Sequence, residues 1–570
     1  MSRTITERTP GTNDLDRLAT AFARAASALV PSDEAALSVT FESPRNPDFG
    51  DFASNVALQL AKRARRPPQA LASEIVANAL RDEPGLRDLL TDATAIGGFI
   101  NIRLAPAYWQ RVVATILRDG AGYGKGAPTG ERISLEFGSA NPTGPLLVVQ
   151  GRSMSLGAAI ANAMRFVGID VTTEWIINDA GSQIDTLGKS LYARYRQLAD
   201  TSFPFPEDGY PGDYVHPIAR GLRDRDGDRY DAMDEAQWLP IFAKYGLDEI
   251  VAGHRASAER FGVLNDRWQS EKAMHESGAV LGSIATLGER GHTFEDEGAT
   301  WMRTTAFGDD KDRVLIRKDG RPAYYAQDVA YHYDKLERND RAIVILGPDH
   351  HGYIARLATI AAAFGKPGTI DVIIAQQMTI VRDGEVVALS KRAGELLTLD
   401  DVIDEVGVDA ARFFFVMMSA DSPMTFDLTL AREKTNDNPV FYVQYGHARI
   451  ASILARAPRE LVERAMRGEA LERLVEPAEI ALARRLAEFP DVVRSVASGR
   501  APHRMARYAQ NVASDFSQFY AACKVLGDDA DLSAARIGLA IATKTILATS
   551  LSLLGVSTPE SMQRAVSDDL

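Results

Sequence analysis

The sequence predicts an α/β fold, a doubly wound parallel sheet set between an N-terminal α+β domain and a C-terminal all-helical domain. Three observations carry this. Ile133, Leu135 and Phe137 alternate as in a strand, and a turn-rich loop and a helical pattern follow; Val171, Thr173, Trp175 and Ile177 then alternate again, completing a β-loop-α-β unit. Apolar runs at 342–346 and 370–375, separated by a helical pattern over 354–364, read as buried parallel strands. From residue 431 onward the apolar spacing is helical throughout.

Taken in order, Leu15, Leu18, Phe22, Ala25 and Leu29 recur at helical spacing. A turn-rich stretch, 42–51, precedes a second helical pattern over 55–80, and a strand-like end falls at 99–104. These form an N-terminal domain over 1–120, closed by the Gly/Pro/Lys stretch 120–130. The central domain runs over 121–430. Its first loop holds Gly138, Ser139, Asn141, Pro142, Gly144 and Pro145, and the helix after it spans about 153–167, stopped by Gly168. Residues 191–310 carry 13 basic against 22 acidic side chains, the balance of a solvated insertion. The helical domain, 431–570, carries 18 against 17.

The chain has 570 residues, 45% hydrophobic and 25% charged, the composition of a globular protein rather than a disordered or fibrous one. Its net charge of -13 argues against indiscriminate binding to nucleic-acid phosphates. Most of that surplus lies in the insertion, so a shape-selective contact with one class of RNA stays open to the near-neutral helical domain. A single cysteine, Cys523, excludes an intramolecular disulfide and a thiolate zinc cluster and suits a reducing compartment. Residues 1–10 lack the apolar core of a secretory signal, and no run of about 18 apolar residues occurs, so a cytoplasmic protein with no membrane span is expected.

In an open parallel sheet, ligands bind beyond the carboxyl ends of the strands, where loops and helix N-termini point N–H groups at anions. Glu136 and Asn141 lie at such a strand end, and a carboxylate interrupting an apolar strand requires a cationic partner. Alone, Glu136 reads sooner as a carboxylate satisfied by its own loop than as a ligand. It is followed, however, by Ser139-Ala-Asn-Pro-Thr-Gly-Pro-Leu, Asn178-Asp-Ala-Gly-Ser-Gln183, Tyr324-Tyr-Ala-Gln-Asp328, Leu346-Gly-Pro-Asp349-His350-His351-Gly352-Tyr353 and Leu389-Ser390-Lys391-Arg392-Ala393-Gly394. This succession resembles the arginyl-tRNA synthetases, class I enzymes with a Rossmann-like catalytic domain, over nearly the whole chain. Gly50-Asp-Phe-Ala-Ser-Asn55 and Gly97-Gly-Phe-Ile-Asn101 resemble that family's N-terminal domain, which contacts the tRNA elbow. Asn438-Pro-Val-Phe-Tyr442-Val-Gln444-Tyr445-Gly-His447-Ala448-Arg449 resembles its helical anticodon-binding domain.

The resemblance implies an arginine–tRNA ligase that makes arginyl-adenylate from L-arginine and ATP and transfers arginine to the 3'-terminal ribose of tRNA(Arg), with bound tRNA required for activation. It implies Mg2+ only as the companion of ATP, no tightly bound metal, no DNA or membrane partner, and a monomer. Arginine binding falls to Glu136, Asn141, Tyr324 and Asp328; carboxylates beside neutral acceptors suit the five-donor fork of a guanidinium. ATP binding falls to Leu147, Gln150, Gly347, Asp349, His350, His351, Ser390 and Lys391. Lys391 and Arg152 are the expected catalytic residues, with Lys391 neutralising phosphate charge as pyrophosphate leaves. Asn55, Tyr442, Tyr445 and Arg449 fall to tRNA. Tyr442, Tyr445 and Arg449, at i, i+3 and i+7, form an aromatic and cationic face suited to stacking bases, although such a stripe alone also reads as core.

The sequence departs from the family in two places. Where the family carries His-x-Gly-His, this chain has Leu147-Val148-Val149-Gln150, and in the lysine signature the first two positions are Ala388 and Leu389. Losing one hydrogen bond to a charged phosphate costs about 1.5 to 3 kcal/mol, on the order of 10- to 150-fold in rate. The Gln150 amide, Arg152 and the helix N-terminus near Ser153 are the expected compensating groups. Two alternatives remain open from sequence: a catalytically inactive paralogue that binds arginine or tRNA as a regulator, and a ligase or transferase acting on another acceptor.

Overall fold

The computed structural model describes residues 2–3, 12–30, 39–42, 44, 46–387 and 397–563. Its centre is a five-stranded, wholly parallel sheet in the order Ile370–Ile374, Arg341–Leu346, Arg132–Glu136, Asp170–Ile177, Arg267–Ser270. The first three strands in the chain build outward in one direction, and the last two add on the opposite side of Arg132–Glu136. The reversal places a crevice beyond the carboxyl ends of Arg132–Glu136 and Arg341–Leu346.

The helix after the first strand spans Val148–Phe166, five residues earlier than its sequence pattern suggests. The β-branched Val148 and Val149 weaken the helical signal there, yet Gln150 caps the helix by accepting the Leu147 N–H at 3.0 Å. The helix lies so close to the sheet that a Cβ at Gly157 would stand 2.1 Å from the Phe137 ring. Its other sides meet the helices Val408–Met417, Phe489–Gly499 and Ala530–Leu554, which binds the central and C-terminal domains into one core.

The insertion is more than a solvated excursion. The helices Ser182–Gln197, Val215–Asp226 and Glu235–Arg260 enclose an aromatic core of their own, with Tyr192 stacked on Trp238 at 3.7 Å and Tyr195 edge-on to Phe242 at 5.2 Å. Its charge lies outside while Tyr and Trp fill the inside, so net composition alone hides the packing. Arg267–Ser270, within the range taken as insertion, is an edge strand of the main sheet.

In the N-terminal domain the pattern over 55–80 is two helices, Val56–Ala64 and Pro68–Asp82. Arg65 breaks the first in the left-handed conformation at φ 50°, and prolines 67 and 68 exclude a continuous ladder. Helices Thr12–Ser27, Val56–Ala64 and Pro68–Asp82 accompany the antiparallel strands Phe52–Ser54, Phe99–Leu104 and Leu90–Ile96. The helix Pro106–Asp119 turns to the C-terminal domain, where Gln110 donates to the Leu474 carbonyl at 3.0 Å and Arg484 lies 5.4 Å over the Trp109 ring while pairing with Asp51.

The C-terminal domain is helical throughout, built on Pro439–Arg456, Pro477–Ala487, Phe489–Gly499, His503–Ala522 and Ala530–Leu554. Among the described residues one helix, Ala530–Leu554, is long and apolar enough by composition to cross a membrane, yet most of it is buried within this bundle. Arg500 is held by Asp371 of the central sheet, which also takes Arg341 at 2.7 Å.

Candidate active site and RNA face

The loop over 138–147 forms one wall of the crevice. Ser139 Oγ donates to Glu136 Oε1 at 3.2 Å and accepts the Ile176 N–H at 3.1 Å, while Asn178 Nδ2 donates to Asn141 Oδ1 at 3.1 Å. Glu136 itself is buried and paired with the Nζ of Lys335, a fully buried lysine whose ammonium also lies 4.0 Å from the centre of the Tyr331 ring. The cationic partner that a carboxylate in this strand requires is thus supplied by the protein itself. Glu174, register-paired with Glu136 on the next strand, likewise takes Arg338 at 2.8 Å and Ser134 at 3.0 Å.

The opposing wall is the start of the helix Tyr324–Arg338. Tyr324 is exposed, with the Arg317 guanidinium 5.7 Å from its ring centre and its hydroxyl facing Gly181 of the Asn178–Gln183 segment. One turn on, Asp328 has no hydrogen-bond partner for its carboxylate among the described residues. Burial first, then the negative charge of Glu136, pushes its pKa up to about 7, with Arg356 and Lys335 offsetting part of the rise. Glu271 was missed from sequence because it lies in the supposed insertion, directly after the short strand Arg267–Ser270, whose Arg-Trp-Gln-Ser sequence carries no apolar alternation. It is buried, and burial followed by the charge of Asp179 raises it to about 7 as well. Asp179 is occupied, accepting from Ser270 Oγ at 2.5 Å and the Lys272 N–H at 2.8 Å. The crevice thus presents one half-buried and one buried carboxylate, each poised to take up or release a proton near pH 7.

On the other side of the loop, the Val148 N–H donates to the Leu397 carbonyl at 3.3 Å and the Leu399 N–H to the Leu146 carbonyl at 2.8 Å. The Val149 N–H has no partner among the described residues, and with Gln150 Oε1 taken by Leu147, the Nε2 of Gln150 is the side-chain donor left over. Arg152 requires correction. It is buried, and its two terminal nitrogens donate to four backbone carbonyls: Gln376 at 2.5 Å, Gln377 at 3.4 Å, Ser419 at 3.0 Å and Ser422 at 2.9 Å. Burial lowers its pKa to about 10. A guanidinium so engaged is a structural clamp and has no donor left to reach a phosphate except the buried Nε.

Across the crevice, Gly347 leads into the short turn Pro348–His350. Asp349, His350 and His351 are all exposed, and the His350 ring meets Tyr353 edge-on at 5.1 Å. Neither histidine is packed inside. Ser390 and Lys391 lie outside the described residues; the segment that follows them is the one joined to Leu146 and Val148 at Leu397 and Leu399.

In the C-terminal domain, Tyr442, Tyr445 and Arg449 line a cavity of about 250 Å³ with Asn436, Gly446, Phe516 and Ser517, between the helices Pro439–Arg456 and His503–Ala522. Arg449 lies over the rings of Tyr445 at 4.8 Å and Tyr520 at 5.3 Å and donates to the Tyr445 hydroxyl at 3.0 Å. The sequence stripe is therefore half-buried, an aromatic recess rather than a closed core. Asn55 precedes the helix Val56–Ala64 and accepts from Gln59 at 2.8 Å, and Leu58, Ile96 and Phe99 are exposed in the same domain.

Family models match three stretches: residues 16–104 the arginyl tRNA synthetase N-terminal domain, 260–419 the catalytic domain of class I (R) tRNA synthetases, and 443–562 the DALR anticodon binding domain. The chain is 43% identical to the arginine–tRNA ligase of Heliobacterium modesticaldum over 531 residues, 91% of this chain and 93% of the relative. It is 44% identical to that of Moorella thermoacetica over 526 residues, with the same coverage. Thermus thermophilus arginyl-tRNA synthetase has the same fold, with a TM-score of 0.73 at 22% identity over 96% of this chain and all of that one.

Proposed function

Because the chain belongs to the arginyl-tRNA synthetases, we propose that its crevice joins arginine to tRNA with a divergent ATP cradle. In the first step a carboxylate oxygen of arginine attacks the α-phosphorus of ATP, and pyrophosphate leaves with the electron pair of the broken P–O bond. In the second a hydroxyl of the terminal tRNA ribose attacks the activated carbonyl carbon and AMP leaves.

The observation that carries this reading is the pair of raised carboxylates, Glu271 buried and Asp328 half-buried, beside an exposed tyrosine. Neither Asp328 nor Glu271 forms a salt bridge among the described residues, although the charges of Arg356 and Lys335 reach Asp328, whereas Glu136 is directly paired with Lys335. Arginine supplies the missing positive charge, with Tyr324 and Asn141 as neutral neighbours. Glu136 supports the wall from below and adds field rather than a free carboxylate. On the nucleotide side, the Val149 N–H and Gln150 Nε2 replace the absent histidines, and Gly347, Asp349, His350 and His351 flank the nucleoside. Ser390 and Lys391 act on the phosphates of ATP, which bring Mg2+ as part of the substrate. The work is positioning and charge stabilisation, which needs no side-chain nucleophile.

The recess at Tyr442, Tyr445 and Arg449 takes an unpaired base of tRNA, and Asn55 with its apolar neighbours takes the elbow. A ribose hydroxyl as acceptor favours RNA over DNA. Crevice and RNA faces lie on one chain, which suits a monomer, and the product is consumed where proteins are made, in the cytoplasm. Calorimetric titration with arginine and citrulline tests the site: tight arginine binding with citrulline excluded supports it. Equal binding of the two sinks the acid-wall assignment.

A further inference from the structure

Two side chains of the insertion grip the loop that carries the divergent ATP cradle. Tyr214 Oη donates to the Thr143 carbonyl at 2.5 Å, and His254 Nε2, protonated and donating, lies 2.7 Å from the Gly144 carbonyl. Neither is a surface accident. His254 sits mid-helix in Glu235–Arg260, is 2% exposed and tilts against Trp175 at 6.1 Å. Tyr214 immediately precedes Val215–Asp226 and is wedged between two glycines: a Cβ at Gly144 would lie 3.3 Å from its hydroxyl, and one at Gly212 only 2.4 Å from its ring. Burial lowers the His254 pKa, which keeps the ring neutral with one N–H to give.

The same helix also reaches the far side of the cradle. Arg260 pairs with Asp400 at 2.9 Å and with Asp404, and Ser257 donates to Asp400, at the start of the helix Leu399–Val406. The residues just before that helix form the backbone pairs with Leu146, Leu147 and Val148. Glu235–Arg260 therefore fixes residues 143–148 both directly and through the segment after Lys391. The arginine half of the loop has separate anchors, since Ser139 and Asn141 are tied to Glu136, Ile176 and Asn178.

We propose that Tyr214 and His254 are positioning residues for ATP, holding the Thr143–Gly144 carbonyls so that the Val149 N–H and Gln150 stay aimed into the crevice in a chain without the family's histidines. The insertion is thus a brace for the nucleotide half of the site. This rests on the ATP reading of residues 147–150.

The test is steady-state pyrophosphate exchange with the full chain and tRNA, varying ATP and arginine separately, on Tyr214→Phe, His254→Leu and His254→Gln. Loss of one neutral hydrogen bond predicts about a 3- to 10-fold fall in kcat/KM for ATP for each of the first two, with KM for arginine within about twofold. His254→Gln, which keeps a donor, restores most of the loss. A melting temperature measured alongside separates misfolding from mispositioning. Equal losses for both substrates, or unchanged ATP kinetics in Tyr214→Phe and His254→Leu, overturn the brace. Val149→Glu distinguishes the two failures by placing a carboxylate at an exposed site beside the expected phosphates. If it leaves ATP kinetics intact, the ATP reading of this loop fails; if it abolishes ATP use while the insertion variants do not, only the brace fails.

Discussion

The ammonium of Lys335 is fully buried against the carboxylate of Glu136, at the carboxyl end of the first strand of the parallel sheet. Removing one partner leaves the other charged and desolvated. Lys335→Met is expected to cost about 3 to 5 kcal/mol, whereas Lys335→Met with Glu136→Gln recovers a large part of it. Denaturant melts of both variants check this; equal losses in the single and the double variant contradict a coupled pair.

Asp328→Asn is expected to weaken arginine binding by about 10- to 100-fold while ATP kinetics hold, because it removes a charged acceptor from the cation. Titration of Asp328→Asn with arginine, beside an ATP series, checks the selectivity.

The raised carboxylates also set a pH dependence. Asp328 and Glu271, each near 7 in the arginine-free protein, are mostly protonated below that pH, and the proposed arginine site uses their ionised forms. Affinity for arginine therefore rises between pH 6 and 8, roughly the span around those values, and binding releases protons at the acid end. Stability of the arginine-free protein runs the other way. Its folded pKa values exceed the unfolded values near 4, so these groups contribute less stability as pH rises from about 4 through 7. Calorimetry in buffers of differing ionisation enthalpy reads the protons released; a flat affinity from pH 6 to 8 contradicts the assignment.

Arg152→Lys is expected to lower stability by about 2 to 4 kcal/mol, since a lysine cannot satisfy four carbonyls at once. In the folded fraction KM for ATP stays near the parent value. A large rise in KM at unchanged stability contradicts the clamp and returns Arg152 to the nucleotide.

Tyr445→Ala is expected to reduce aminoacylation efficiency at limiting tRNA by about 5- to 100-fold, the worth of one stacked base, and to leave ATP affinity unchanged. Comparable losses in both would identify Tyr445 as a packing residue.

Much of this architecture was legible because apolar periodicity reports burial directly. The alternation from Ile133 to Phe137, the second strand to Ile177 and the runs near 342 and 370 all became strands of one sheet. What escaped depends on partners distant in sequence. Arg152 matches its family's pattern at a position read as catalytic, yet its partners lie at 376–377 and 419–422. Lys335, an ordinary basic residue in the last turn of a helix by sequence, acquires its meaning from Glu136, and the helix at Val148 starts early because Gln150 caps it. Tyr214, His254 and Glu271 were hidden inside a segment whose charge suggested solvent; its aromatic spacing held the missed signal.

The central claim is that the altered ATP cradle still works, and pyrophosphate exchange with arginine, ATP and tRNA(Arg) tests it most directly. The account predicts arginine-dependent exchange that appears when the tRNA is added. No exchange under these conditions, from protein that still binds arginine and tRNA, would contradict it.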